Sequence, residues 1–534
     1  FDMSAEEKSS DINSHFSSDV DEKDAIRPYV FLKHLSDKLD SLGVEVTGIE
    51  RISPYRRSQN KFKQFITVAG LWISGCGGLT SMSSFYLGPM LFGLGLKKTL
   101  IAGMLGQFFG CLAAAYCSLM GPRSGCRQMV TARFLFGWWT VKFVAFIGIV
   151  GGVGWSVVNC IAGGQILSSV SDGRLPLVAS IVILAALSLL ISIGGIRILL
   201  KIETFLSIPV LGACLMLYIS SASKYKYLSL ADSPEEDFAT IKGNTLSFFT
   251  LCYSITSTWG AVASDYYILF PQDTPNIQIF SLTFFGTFIP TSLVGIIAIL
   301  TGNIAMNYEP WSEAYESLSM GGVLGAAFEP WGGGGKFLLV LMFLSLVSNN
   351  VMNTYSAVFQ LQIIALPLAR VPRWLWSCLI TVVYLILAIF GRYKFATILG
   401  NFLPMIGYWI SIYIALLLEE NTIFRTHWFR HLYTKELEQV DSDSSALVAA
   451  KHCNYNFNIW NSKDKLTQGF AASFAFACGA AGAAIGMSQT YWIGPLAKDV
   501  GGLYGGDIAM WLCMGFSGVV YPGLRYWELK TYGR

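Results

Sequence analysis

In the apolar run 139–168, Trp155 and Asn159 stand four residues apart, which on a helix places an indole and an amide on one face. An indole stacks on a flat ring while an amide hydrogen-bonds the ring's edge, so the pair suits a planar heteroaromatic ligand. A packed indole beside an amide bonded to a neighbouring helix would leave the same spacing. Trp259 offers a second aromatic face from a separate apolar segment, and two indoles from different halves of a chain can sandwich a ring. The run 337–362 carries Ser345, Ser348, Asn349, Asn350 and Asn353. Amides at hydrocarbon depth are expensive unless they line a site or bond across helices. Glu203, entering the run 203–220, and Asp265, closing the run 245–270, are the most interior acids of the first ten apolar runs. Each is a candidate for exchanging a proton with an ion gradient, and each is equally placed to anchor a helix at the interface. With no fixed ion pair in these runs, a largely neutral substrate is expected.

Composition fixes the setting. Of 534 residues, 53% are hydrophobic and 13% charged, about half the charged share of a soluble domain. The chain reads as an all-α polytopic membrane protein. A net charge of +3 spread over loops gives no basic surface for nucleic acid. The eleven cysteines are scattered singly, mostly inside apolar runs, and form no disulfide framework. All five histidines lie in polar segments, which excludes a buried histidine metal site or proton relay. Gly332 to Lys336 reads GGGGK but is followed by Phe337, where a phosphate-binding loop needs Ser or Thr. It is expected to be a flexible outer loop, and transport would draw on an ion gradient. No nucleophile–base pair or metal cluster points to an enzyme.

Twelve apolar runs are long enough to be candidate spans: about 65–93, 98–120, 139–168, 176–196, 203–220, 245–270, 278–305, 337–362, 373–391, 397–418, 468–488 and 505–524. Two of them are built to break. The first carries Gly70, Gly75, Gly77 and Gly78 among serines and threonines, and the sixth carries Thr256, Ser257, Thr258, Trp259 and Gly260 at its centre. Interrupted helices at membrane depth survive where they line a cavity, and a matched pair points to a secondary transporter. Small residues that only let helices pack closely would look similar. Lys and Arg concentrate in the connections on the side of both termini, which places both termini in the cytosol. Residues 1–62 show no charged segment followed by an apolar core, so they read as a cytosolic tail with an amphipathic piece near 29–42. A cytosolic loop is expected at 419–466, two further helices at 467–524, and a cytosolic terminus at 525–534.

The strings GCRQM at 125–129, GWSVVN at 154–159, SDYYILFP at 264–271 and SNNVMN at 348–353 resemble the fungal purine-cytosine permeases of the nucleobase-cation symporter family. The resemblance covers nearly the whole chain. It is tightest to the members that carry pyridoxine (vitamin B6), through GVEVTGIERISPY at 43–55, GLTSMSSFYLGPMLFGL at 78–94, SGCRQMVTARFLFGWW at 124–139 and ILGNFLPMIGYWIS at 398–411. Where cytosine permeases resemble WFSAN and N-N-x-P-N, this chain has Trp72-Ile73-Ser74-Gly75-Cys76 and Asn349-Asn350-Val351-Met352-Asn353. An altered pocket for a different ring follows.

The resemblance implies a LeuT-like core at 63–418 of two inverted five-helix repeats, about 63–220 and 243–418, with the first and sixth helices broken, plus two extra helices. It implies alternating access and, in fungi, proton symport at the plasma membrane. By the same resemblance Trp155, Asn159, Trp259, Asn350 and Asn353 line the substrate site, with Ser74 joining them. Sodium-coupled relatives hold the ion between the broken first helix and paired hydroxyls on the eighth. Here Ser345 is followed by Leu346, which favours protons. A nucleobase permease with an altered pocket and a non-transporting nutrient sensor are the remaining readings.

Overall fold

Apolar length decides where the helices fall. The computed structural model describes residues 48–58, 60–234, 236–437 and 455–534, all within the unit Thr47–Arg534. The amphipathic piece near 29–42 lies outside the described residues. Each expected run carries helix: α1 Lys61–Cys76 with α2 Leu79–Phe85, α3 Leu96–Ser118, α4 Arg133–Val170, α5 Leu177–Ile193, α6 Gly195–Ser221, α7 Phe238–Ser257 and α8 Asn276–Asn307. After α9 Glu309–Phe328 come α10 Gly332–Ile364, α11 Arg373–Gly391, α12 Phe395–Glu419, α13 Phe470–Gly486 and α14 Ala509–Tyr532. Among the described residues seven helices are long and apolar enough to cross a membrane, or eight when α1 and α2 count as one bent span. The apolar α5 and α13 are shorter.

The polarity is inverted relative to a soluble protein. Phe143, Phe146, Phe205, Ile208, Phe390 and Val519 are exposed, while Asn159, Glu203, Asn350 and Gln107 are buried. Large apolar side chains outside and hydrogen-bonded polar groups inside are what a lipid solvent selects. Small residues let helices approach closely: a Cβ on Gly106 would lie 2.4 Å from the Phe249 carbonyl oxygen, and one on Gly110 2.4 Å from that of Tyr253. These two glycines, four apart, set α3 against α7.

Both expected interruptions are present. Between α1 and α2 the chain turns by 40° at Gly77 and Gly78. Ser345 Oγ accepts the otherwise free N–H of Leu79 at 3.0 Å. A Cβ on Gly78 would sit 2.5 Å from Ser345 Oγ, so only glycine admits that contact. Helix α7 ends at Ser257 and gives way to 3-10 turns at Thr258–Ala261 and Ala263–Tyr266.

Three expectations change. Gly332–Lys336 is the first turn of α10 rather than a flexible loop, and the stretch 309–328 before it is helical, broken at Leu318 and Ser319. Backbone groups near lipid need partners, and that requirement outweighs the weak helix propensity of glycine. The chain before α1 is tied to the body at two points: Ile52 N–H bonds Gly125 O at 2.9 Å, and Ser58 N–H bonds Leu269 O at 3.0 Å. Helix α14 runs on through 525–532 because Arg525 is needed in the interior. Its Nη2 meets Glu420 Oε1 at 3.0 Å, and Arg425 Nε reaches the same oxygen at 2.9 Å. Tyr521 and Tyr433 donate to the same carboxylate at 2.8 and 3.0 Å. The segment after α12 is thus tied to α14 by a buried, fully bonded ion cluster.

Candidate functional site

A cavity of about 50 Å³ lies where α2, α4, α10 and α12 meet the break after α7. Trp155 from α4 and Trp259 from the break both line it, each almost buried. Trp259 meets Trp72 edge-to-face at 5.4 Å and 89°. Trp72 is fixed in turn by its Nε1–H bond to Tyr267 Oη at 2.9 Å. A Cβ on Gly75 would stand 2.4 Å from Met352 Cε and 3.5 Å from the Trp259 ring, so glycine there lets both side chains close on the broken helix.

The amides divide into two layers. Asn349 and Asn353 line the cavity. Behind them the buried Asn159 donates from Nδ2 to Asn349 Oδ1 and Asn350 Oδ1, both at 2.9 Å, and accepts from Thr80 Oγ1 at 2.8 Å. Asn353 Nδ2 donates to Asn349 Oδ1 at 3.0 Å, and Asn349 Nδ2 to Gly75 O at 3.2 Å. Asn159 and Asn350 therefore position the lining amides and are not part of the cavity wall. Helical register explains the difference. Asn349, Asn353, Ser356 and Gln360 follow i, i+4, i+7, i+11 and share one face, while Asn350 is turned about 100° away toward Cys160.

Among the lining residues that escaped the sequence reading, Ser356 Oγ, Gln360 Oε1 and Trp409 Nε1 are buried at the cavity without a hydrogen-bond partner among the described residues. Buried polar atoms are nearly always bonded, so an acceptor and a donor stand ready for a ligand. The face shared with Asn349 and Asn353 was the signal for Gln360. Trp409, inside an apolar run on α12, gave none.

Ser74, Glu203 and Asp265 lie off the cavity. Ser74 Oγ and Ser348 Oγ are 3.1 Å apart, and Ser348 donates to Glu203 Oε2. Glu203 is fully buried on α6, and its Oε1 has no hydrogen bond among the described residues. The three residues form a polar chain beside the broken α1, with no cation in an ion pair to Glu203 among the described residues. Ser345 is already engaged, accepting from Leu79 and donating to Met342 O at 2.6 Å. Asp265 sits elsewhere, under the 125–128 turn, where its Oδ1 accepts the Gln128 N–H at 2.8 Å. The same glutamine holds Ser264 N–H through Oε1 at 3.0 Å and Tyr413 through Nε2 at 2.8 Å. Asp265 thereby braces the far end of the second break. No cluster of His, Cys, Asp and Glu able to hold a metal occurs among the described residues.

A family model described as permease for cytosine/purines, uracil, thiamine and allantoin matches residues 57–426. The Vitamin B6 transporter TPN1 of Saccharomyces cerevisiae is 54% identical over 94% of this chain and 90% of its own length. The Purine-cytosine permease FCY21 of the same yeast is 30% identical over 92% of this chain and 88% of its own. Among solved structures, the nucleobase-cation-symport-1 family transporter Mhp1, closed with bromovinylhydantoin bound, overlays with a TM-score of 0.65 at 14% identity, covering 91% of this chain and 96% of its own. That overlay shows the LeuT-like fold expected from the resemblance. With the family model spanning both helix breaks and the cavity between them, the chain belongs to the cytosine/purine, uracil, thiamine and allantoin permease family, a family of multi-pass membrane transporters.

Proposed function

We propose that this chain imports pyridoxine and related B6 vitamers across the plasma membrane by proton symport, with both termini in the cytosol. The observation that carries the reading is the 54% identity to the yeast vitamin B6 transporter, which extends along nearly the entire chain. The cavity supports it on chemical grounds. Pyridoxine is a flat, hydroxylated pyridine; Trp155 and Trp259 supply faces for the ring, and Gln360 Oε1, Trp409 Nε1 and the Asn349–Asn353 pair supply partners for its hydroxyls and nitrogen.

Coupling is assigned to Glu203. A carboxyl at membrane depth with no paired cation is less costly when it carries a proton. Its link through Ser348 to Ser74 on α1 gives that proton a route to influence the break. Asp265, held by the backbone of the 125–128 turn, is assigned a bracing role. The two breaks are assigned to equivalent places in repeats 63–220 and 243–418, so that rocking one repeat against the other opens the cavity alternately to each side.

The direct test is uptake of labelled pyridoxine by cells lacking their own B6 transporter, with and without excess cytosine. Uptake indifferent to cytosine is expected. Uptake of cytosine alone, or strong competition by it, would move the assignment to a nucleobase permease.

A further inference from the structure

A groove lies at the Lys61 end of α1, between that helix and the first turns of α6. Every charged residue lining it is basic: Arg56, Arg57, Lys63 and Lys201. Arg57 is buried and tied to backbone oxygens of Ile52 and Pro122. Arg56, Lys63 and Lys201 are exposed and make no ion pair among the described residues. Thr67 and Thr204 line the inner wall, and there α1 and α6 touch closely, a Cβ on Gly70 reaching 2.9 Å from Thr204 Cα. The amino-terminal end of α1 adds the positive end of its helix dipole. At its rim the groove turns apolar. Phe205 lines it at 76% exposure, and Phe62, Ile66 and Ile208 on the same two helices are exposed as well. Large apolar side chains so exposed on a membrane protein face lipid, so the groove straddles the boundary between hydrocarbon and water.

We propose that this groove binds an anionic phospholipid of the cytosolic leaflet, with Arg56, Lys63 and Lys201 holding its headgroup phosphate and its acyl chains lying along Phe205 and Ile208. The leaflet follows from the orientation proposed above. The binding itself rests on the groove alone. Basic pockets at the cytosolic ends of membrane helices suit phosphorylated lipid headgroups, and each cation near the phosphate strengthens binding about fivefold. Bound there, the lipid bridges α6 and the first half of the broken helix.

Native mass spectrometry of the purified full-length protein with added dioleoyl-phosphatidylinositol tests this, with dioleoyl-phosphatidylcholine as the neutral comparison. One phosphatidylinositol is expected to be retained in preference to phosphatidylcholine. Arg56→Gln, Lys63→Gln and Lys201→Gln should each weaken it about fivefold, and the triple variant on the order of 100-fold. Lys498→Gln, an exposed lysine on the short helix Pro495–Val500, should change nothing. Equal retention by wild type and the single variants would overturn the site. Glycerophosphoinositol, the same headgroup without chains, is expected to compete poorly, and competition as strong as the lipid's would overturn the acyl contact. No transport is measured, so an error in the assigned substrate leaves these outcomes unaffected.

Discussion

The most informative side chain at the site is one that does not touch the cavity. Asn159 uses its entire amide on Thr80, Asn349 and Asn350. Asn159→Ala therefore leaves Thr80 Oγ1 and Asn350 Oδ1 short of a partner, at about 1–3 kcal/mol each, while Asn349 Oδ1 keeps only its bond from Asn353, and the lining amides lose their orientation. Uptake is expected to fall to background while the protein still reaches the cell surface, checked by surface labelling beside transport. Trp259→Ala removes a ring face from the cavity; on the proposed function the apparent Km should rise about tenfold, equivalent to roughly 1.4 kcal/mol of lost stacking. An unchanged Km would mean that Trp259 only packs against Trp72. That these residues are special was legible in the sequence, because amides within apolar runs must either line a site or bond across helices. Their exact register was not: Asn349 and Asn350 are adjacent, and only the packing of α10 against α4 decides which of them faces the cavity.

Helices and their breaks were more legible than any single contact. Lipid demands long apolar runs with internally bonded backbone, so the runs announce themselves, and glycines inside two of them mark the interruptions. What closes an interruption is a distant residue, and sequence does not reveal it. Ser345, more than 250 positions from the first break, accepts the Leu79 N–H. Ser345→Ala should leave that group unbonded and lower stability by about 1–3 kcal/mol, read as a lower melting temperature of the purified protein. Gly78→Ala pushes a methyl group to within 2.5 Å of Ser345, and loss of uptake is expected from the distorted bend. The GGGGK stretch was misread for the converse reason: glycine signals flexibility locally, but the backbone at the start of α10 must still be bonded.

On the scale of the whole molecule, a transporter must hold some parts rigid so that others can rock. The buried cluster of Glu420, Arg425, Arg525, Tyr433 and Tyr521 fastens α14 and the segment after α12 into one piece. Its members are spread over a hundred residues of sequence, in stretches that read as a loop and a terminus. Arg525→Ala would leave Glu420 underpaired in the interior at a cost of about 3–5 kcal/mol, and much less protein should reach the cell surface. The polar chain Glu203–Ser348–Ser74 joins the opposite kind of element, the broken α1, to its neighbours, and the account of coupling depends on it. The most direct test is accumulation of labelled pyridoxine in proteoliposomes under an imposed inward proton gradient, for wild type and for Glu203→Gln. Wild type is predicted to concentrate pyridoxine above equilibrium and to lose that capacity when a protonophore is added, while Glu203→Gln only equilibrates it. Accumulation that ignores the protonophore, or that survives intact in Glu203→Gln, would contradict the account.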